Sequence, residues 1–166
     1  MTKSLNLGNK NYALQSLREI KERKVNDYDV RITNSHITDL NAVIGKKIFK
    51  KDALYVGSET LYEIMEPLEK EGKHHHTHGL SPEDIFNALS SIKNSNDVSV
   101  SYDNRYVIVT LAIVSDGANL VVIVDPDCPI TNGSKTKIIK IITIYPKNKK
   151  WESNDELLRA TWILYH

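Results

Sequence analysis

The sequence predicts an α+β domain: N-terminal helices, then an antiparallel sheet of about four strands, then a short C-terminal helix. Three observations lead there. Apolar residues recur at helical spacing in the first half and with a period of two from residue 97 onward. The stretch "SPED" (81–84) is the clearest helix start in the chain: Ser81 suits an N-cap, Pro82 the first helical position, and Asp84 the acid of a capping box. Further on, "SDGAN" (115–119) contains Asp-Gly, a strong hairpin signal between two apolar runs.

The elements follow in order. "NYALQSLREIKERK" (11–24) places Leu14, Leu17 and Ile20 on one helical face. "YDVRI" (28–32) alternates as a short strand. Ser35 is positioned to cap a helix through "HITDLNAVIG", which Gly45 ends. "ALYV" (53–56) reads as another short strand. A helix opening at Ser58 carries Leu61, Ile64, Met65 and Leu68 inward, with Gly72 as its stop and Pro67 as a kink. After the Ser81 helix, with Ile85, Phe86, Leu89 and Ile92 inward, come the strands "DVSVSY", "RYVIVTLAIV" and "LVVIV". Asp103-Asn104 is a turn, and "DPDCPITNGS" a polar loop. "KIIKIITIY" (137–145) is apolar enough to predict a central strand. "SNDE" offers a capping box from Ser153 to Glu156 for a last helix, with Leu158 and Trp162 inward.

The 166 residues fit a single domain, with a helical part over 1–72 and an α+β core over 73–166. Net charge is +1, far from the balance of a dedicated duplex-DNA binder, yet compatible with a local phosphate-binding patch. "GKKIFKK" (45–51) and "YPKNKK" (145–150) are such local basic runs, although charge runs are usually only solvated faces. Cys128 is the only cysteine, so no intramolecular disulfide forms. The N-terminus has no apolar run of signal-peptide or membrane-span length. The expectation is a cytoplasmic protein with no membrane partner.

Residues 72–80, "GKHHHTHGL", carry four histidines. Imidazole binds zinc, and His74 with His78 has i, i+4 spacing. The segment lies between Gly72 and "GLSPED", however, and reads as a loop in which that spacing has no geometric meaning. No convincing carboxylate set completes a site: Asp116, Asp125 and Asp127 all stand in turn contexts. No metal and no cofactor are expected. The alternative is acid–base chemistry, which suits a group of unperturbed pKa near 6.5. His78, three residues before the Ser81 cap, is well placed beside a helix N-terminus, where an anion finds unpaired N–H groups. For His74 and His75 a solvated loop is the favoured reading. "GSKTK" (133–137) lacks phosphate-loop spacing and enters a strand, which argues against nucleotide hydrolysis.

"HGLSPEDIFNAL", a strand pair, and a strand ending "IIKIITIYPK" together resemble the phage Barnase-EndoU-colicin-RelE-like nuclease domains found in phage head-morphogenesis and polyvalent proteins. The resemblance covers residues 74–166. "VRITNSHITDLNAVIGKK" is similar only weakly to the family's first helix: His36 matches its first histidine, while Asp39 and Lys47 stand where later histidines belong. The resemblance implies a BECR fold and metal-independent RNA cleavage by 2′-OH attack on the adjacent phosphate. It implies His78, His36, Thr143 and Tyr145 as catalytic residues, and His76, Arg105 and Lys147 as substrate-binding residues. RNA (tRNA or mRNA) is the implied partner, with an immunity, antitoxin or host protein beside it. Each side chain also has an ordinary structural explanation: Thr143 as a strand residue, Tyr145 as packing with a wet hydroxyl, Lys147 and Arg105 as solvated charges beside turns. The rival reading is a catalytically inactive protein-binding module on the same scaffold, which the missing N-terminal histidines favour.

Overall fold

The computed structural model describes residues 4–22, 27–67, 78–115 and 117–147. Its strands are β1 (Ser4–Asn6), β2 (Asp29–Thr33), β3 (Leu54–Gly57), β4 (Asp97–Val100), β5 (Tyr106–Ile113), β6 (Asn119–Pro129) and β7 (Lys137–Pro146). Its α-helices are α1 (Lys10–Glu22), α2 (Leu40–Ile44), α3 (Ser58–Met65) and α4 (Pro82–Ser91), with 3-10 turns at Ile37–Asp39 and Ile92–Asn94.

All the strands join one mixed sheet in the order β1-β2-β3-β7-β6-β5-β4. This corrects the expectation of N-terminal helices followed by a four-stranded antiparallel sheet. The antiparallel β4–β7 meander forms as its alternation requires, but it is only part of a seven-stranded sheet. β1 pairs parallel with β2, β2 antiparallel with β3, and β3 parallel with β7. The N-terminal half is therefore strand and helix interleaved. The physical reason is pairing: "YDVRI" and "ALYV" do form β2 and β3, β1 has only 3 residues and shows no period, and the parallel partners of β1 and β3 are remote in sequence. The predicted C-terminal helix lies outside the described residues.

β7 occupies the middle of the sheet, as its apolar composition demands. One face carries Ile139, Ile141 and Ile144 of β7, Leu120, Val122 and Val124 of β6, and Ile108 of β5. That face belongs to one core cluster that also takes in Leu17 and Ile20 of α1, Leu61 and Ile64 of α3, and Ile85 and Leu89 of α4. Val30, Ile32, Leu54 and Val56 of the N-terminal strands join the same cluster, so both halves of the chain share a core. The alternate positions Val107, Val121, Ile123 and Tyr145 form a second, smaller cluster on the other face. On that face of β5, Leu111 and Ile113 are 61% and 60% exposed.

Local chemistry accounts for the element ends. The Ser81 hydroxyl accepts from the Asp84 N–H at 3.1 Å, and the Asp84 carboxylate accepts from the Ser81 N–H at 3.1 Å, a complete capping box. Leu80 before the cap and Ile85 after it are both buried in the core, the arrangement of a hydrophobic staple. α3 ends at Met65, short of Gly72, because Pro67 forces Glu66 into an extended conformation with ψ 143°. Asn104 takes the left-handed conformation, φ 64°, in the turn between β4 and β5. "DPDCP", expected as loop, continues β6 across a register shift between Asp125 and Cys128. Among the described residues no helix is long and apolar enough to cross a membrane.

Candidate functional site around His78 and β7

His78 reaches the sheet through backbone bonds. The Gly79 N–H donates to the Glu66 carbonyl at 2.7 Å, and the Leu80 N–H to the Ile64 carbonyl at 3.1 Å. These acceptors exist because α3 stops early: a helix leaves its last carbonyls unpaired, and Pro67 prevents the chain from continuing. Gly79 has φ 63°, a conformation open to glycine, and it turns the chain from His78 into the Ser81 cap. The sequence offered no reason to link α3 to the histidine turn. Its only trace was Pro67.

Docked in this way, His78 is 7% exposed and lies beside Tyr145, which is 3% exposed. Their ring centroids are 6.0 Å apart and the planes are inclined by 48°. Tyr145 stands near the end of β7, opposite Val121 of β6. Thr143 is two residues earlier on the same strand, opposite Ile123. Strand alternation puts Thr143 and Tyr145 on one face, and Lys147, whose N–H donates to the Asn119 carbonyl at 2.7 Å, follows beyond Pro146. Just before Thr143 the pairing shifts: Ile123 faces Thr143 but Val124 faces Ile141, leaving Ile142 as the extra residue of a bulge. Such bulges re-aim side chains and are frequent beside functional sites. The Thr143 Oγ1 is buried and makes no hydrogen bond among the described residues. An unpaired buried hydroxyl costs about 1–3 kcal/mol, so something must offset it or use it.

The remaining sequence-derived candidates lie elsewhere. β2 ends at Thr33, level with the start of β3 and thus with Ile139 of β7. His36 follows β2 and is therefore off the opposite end of the sheet from Tyr145, about 20 Å away at the usual strand rise of ~3.3 Å per residue. It is exposed, with φ 53°, and caps the 3-10 turn without a side-chain bond. Its neighbour Asp52 accepts from the Thr38 hydroxyl at 2.6 Å and from the Thr38 N–H at 3.1 Å. The Thr38 hydroxyl bond, more than the nearby imidazole, holds the Asp52 carboxyl below its ordinary range. Arg105 sits at the turn into β5, level with Asp125 and Lys140, and pairs with Asp103 at 3.5 Å. It too is remote from Tyr145. His76 lies outside the described residues, as do His74 and His75. Among the described residues no group of three His, Cys, Asp or Glu side chains stands close enough to hold a metal ion.

One cluster had no sequence signal. Lys140 pairs with Asp29 at 3.1 Å across β3, beside Cys128. Burial, with the carboxylates of Asp125 and Asp29, pushes the Cys128 thiol up, so it is a weak nucleophile.

Set against family models, curated proteins and solved structures, the chain matches none.

Proposed function

We propose that the chain is a metal-independent endoribonuclease domain that works at the His78–Tyr145 end of β7. The observation that supports this most is the convergence of His78 with Tyr145, beside a Thr143 hydroxyl left without a partner. Those are the residue types that in-line cleavage by a ribose hydroxyl needs.

In this reading His78 accepts the proton of a ribose 2′-OH, whose oxygen attacks the adjacent phosphorus. The 2′-O–P bond forms and the P–O5′ bond breaks. The Tyr145 hydroxyl gives its proton to the departing 5′-oxygen and recovers one from solvent. The products are a 2′,3′-cyclic phosphate and a free 5′-hydroxyl. The Thr143 Oγ–H donates to a non-bridging phosphate oxygen as charge gathers there, and the Lys147 ammonium adds positive potential. His36 takes no part, because it stands at the other end of the sheet.

The test is incubation of labelled total tRNA and of a mixed RNA pool with the protein in EDTA. Cleavage is expected, with 2′,3′-cyclic ends, and it is lost in His78→Asn. An intact pool, in EDTA and with added magnesium or zinc alike, overturns the reading.

The burial of His78 and Tyr145 supports a second reading, a protein-binding module in which this pair only packs. The exposed Leu111 and Ile113 would then face an apolar surface of a protein partner. Unchanged RNA together with normal stability of Leu111→Ser/Ile113→Ser is the outcome expected there.

A further inference from the structure

We infer that the end of the sheet opposite Tyr145 is a binding surface for the phosphate backbone of a nucleic acid. The loop after α2 carries Lys46, Lys47, Lys50 and Lys51, all exposed. β3 begins at Leu54, paired with Ile139 of β7 in parallel register. Stepping back along both strands brings this loop alongside the segment that enters β7, where Lys135 and Lys137 are also exposed. Two basic stretches distant in sequence thus lead into neighbouring strands from the same end of the sheet.

None of these lysines is in an ion pair among the described residues. The acid nearest to them in the chain, Asp52, accepts from both Thr38 donors and from no lysine among the described residues. Phe49 is fully buried and Asn41 holds the loop, its side chain accepting from the Ile48 and Phe49 N–H groups at 3.0 and 2.9 Å and donating to the Phe49 carbonyl at 2.8 Å. The lysines are therefore displayed on an anchored loop. With a net charge of only +1 over the whole chain, this concentration is a local field. Lysine suits the role, since a flexible point charge meets a phosphate without demanding a fixed geometry. Contacts from lysine to phosphate grip the backbone and carry no sequence information.

This inference is independent of the cleavage reading, and its experiment keeps the two apart. The probe is a fluorescent 2′-O-methyl RNA oligonucleotide, which has no 2′-OH and cannot be cleaved by the proposed chemistry. Anisotropy titrations of the full chain over a salt series give the slope of log K against log salt. Each single-strand phosphate contact contributes about 0.7 to that slope. Lys50→Ala/Lys51→Ala and Lys135→Ala/Lys137→Ala are each expected to lower the slope by about 1.4, at about 0.7 per lost contact. Arg18→Ala/Lys21→Ala removes the same net charge from α1 and serves as the control; it is expected to bind as the parent does. Parent-like slopes in both rim pairs, an equal loss in the α1 pair, or a parent that does not bind the probe would each overturn the inference.

Discussion

The two ends of β7 have opposite characters. At the Tyr145 end the strand is desolvated: Ile144 is 0% exposed, Tyr145 3%, and His78 lies against it. At the Lys137 end it opens to solvent between lysines, and the Asp52 carboxylate accepts both Thr38 donors. One strand thus presents a dry end, where hydrogen bonds and proton transfers are strong, and a wet end, where charge acts diffusely. The difference teaches that candidates gathered from sequence divide by environment. His36 and His78 are the same residue type, yet only His78 is withdrawn from water beside another titratable side chain.

This comparison can be broken or sharpened by experiment. The largest effect is expected at the dry end. His78→Asn should reduce RNA cleavage in EDTA by about 10²–10⁴-fold, the range of a lost general acid–base group. His36→Asn should leave the rate within about twofold, a difference well below the ~1.4 kcal/mol of a tenfold change. Equal losses would end the distinction between the two histidines.

Next comes packing. Ile144→Ala should cost about 2–5 kcal/mol in urea unfolding, as a core truncation. Ile139→Ala, nearer the wet end and 7% exposed, should cost less, because its site can partly refill with water. A larger cost at Ile139 would show that the wet end carries the packing.

Thr143→Val should raise stability by about 1 kcal/mol, since the buried Oγ1 is unpaired and Val removes it at similar volume. If Thr143 also holds the phosphate, the same variant should lose cleavage as it gains stability. A variant less stable than the parent would mean that the hydroxyl has a partner in solution. Ser81→Ala removes the cap that carries the chain from His78 into α4 and should cost about 1 kcal/mol.

The smallest effect is at the wet end. Asp52 is held below its ordinary range in the folded protein. Its contribution is therefore fully present above the unfolded value, near 4, and is lost as pH falls through the folded value. Asp52→Asn should flatten the stability curve below about pH 4, at the carboxylate reference value. A profile unchanged down to pH 2 would mean that the Thr38 bonds do not distinguish the two states.

The sequence by itself determined the elements whose causes are local. The Ser81–Asp84 capping box, the Asp103-Asn104 turn, the β4–β7 meander and the central place of β7 all follow from spacing, caps and composition within a few residues. Proximity of Thr143 and Tyr145 was equally legible, since alternation fixes which residues share a face. Tertiary structure alone decided the rest. β1 is too short to declare itself, and the parallel pairing of β1 and β3 joins residues far apart in the chain without any turn to announce it. The same non-local pairing removed His36 from the site and made the loop that precedes β3 and the segment that precedes β7 enter the sheet from one end. It also set His78 against Tyr145 through the free carbonyls at the end of α3. Pattern records what a residue's neighbours require; which distant surfaces meet depends on the shared core that buries them.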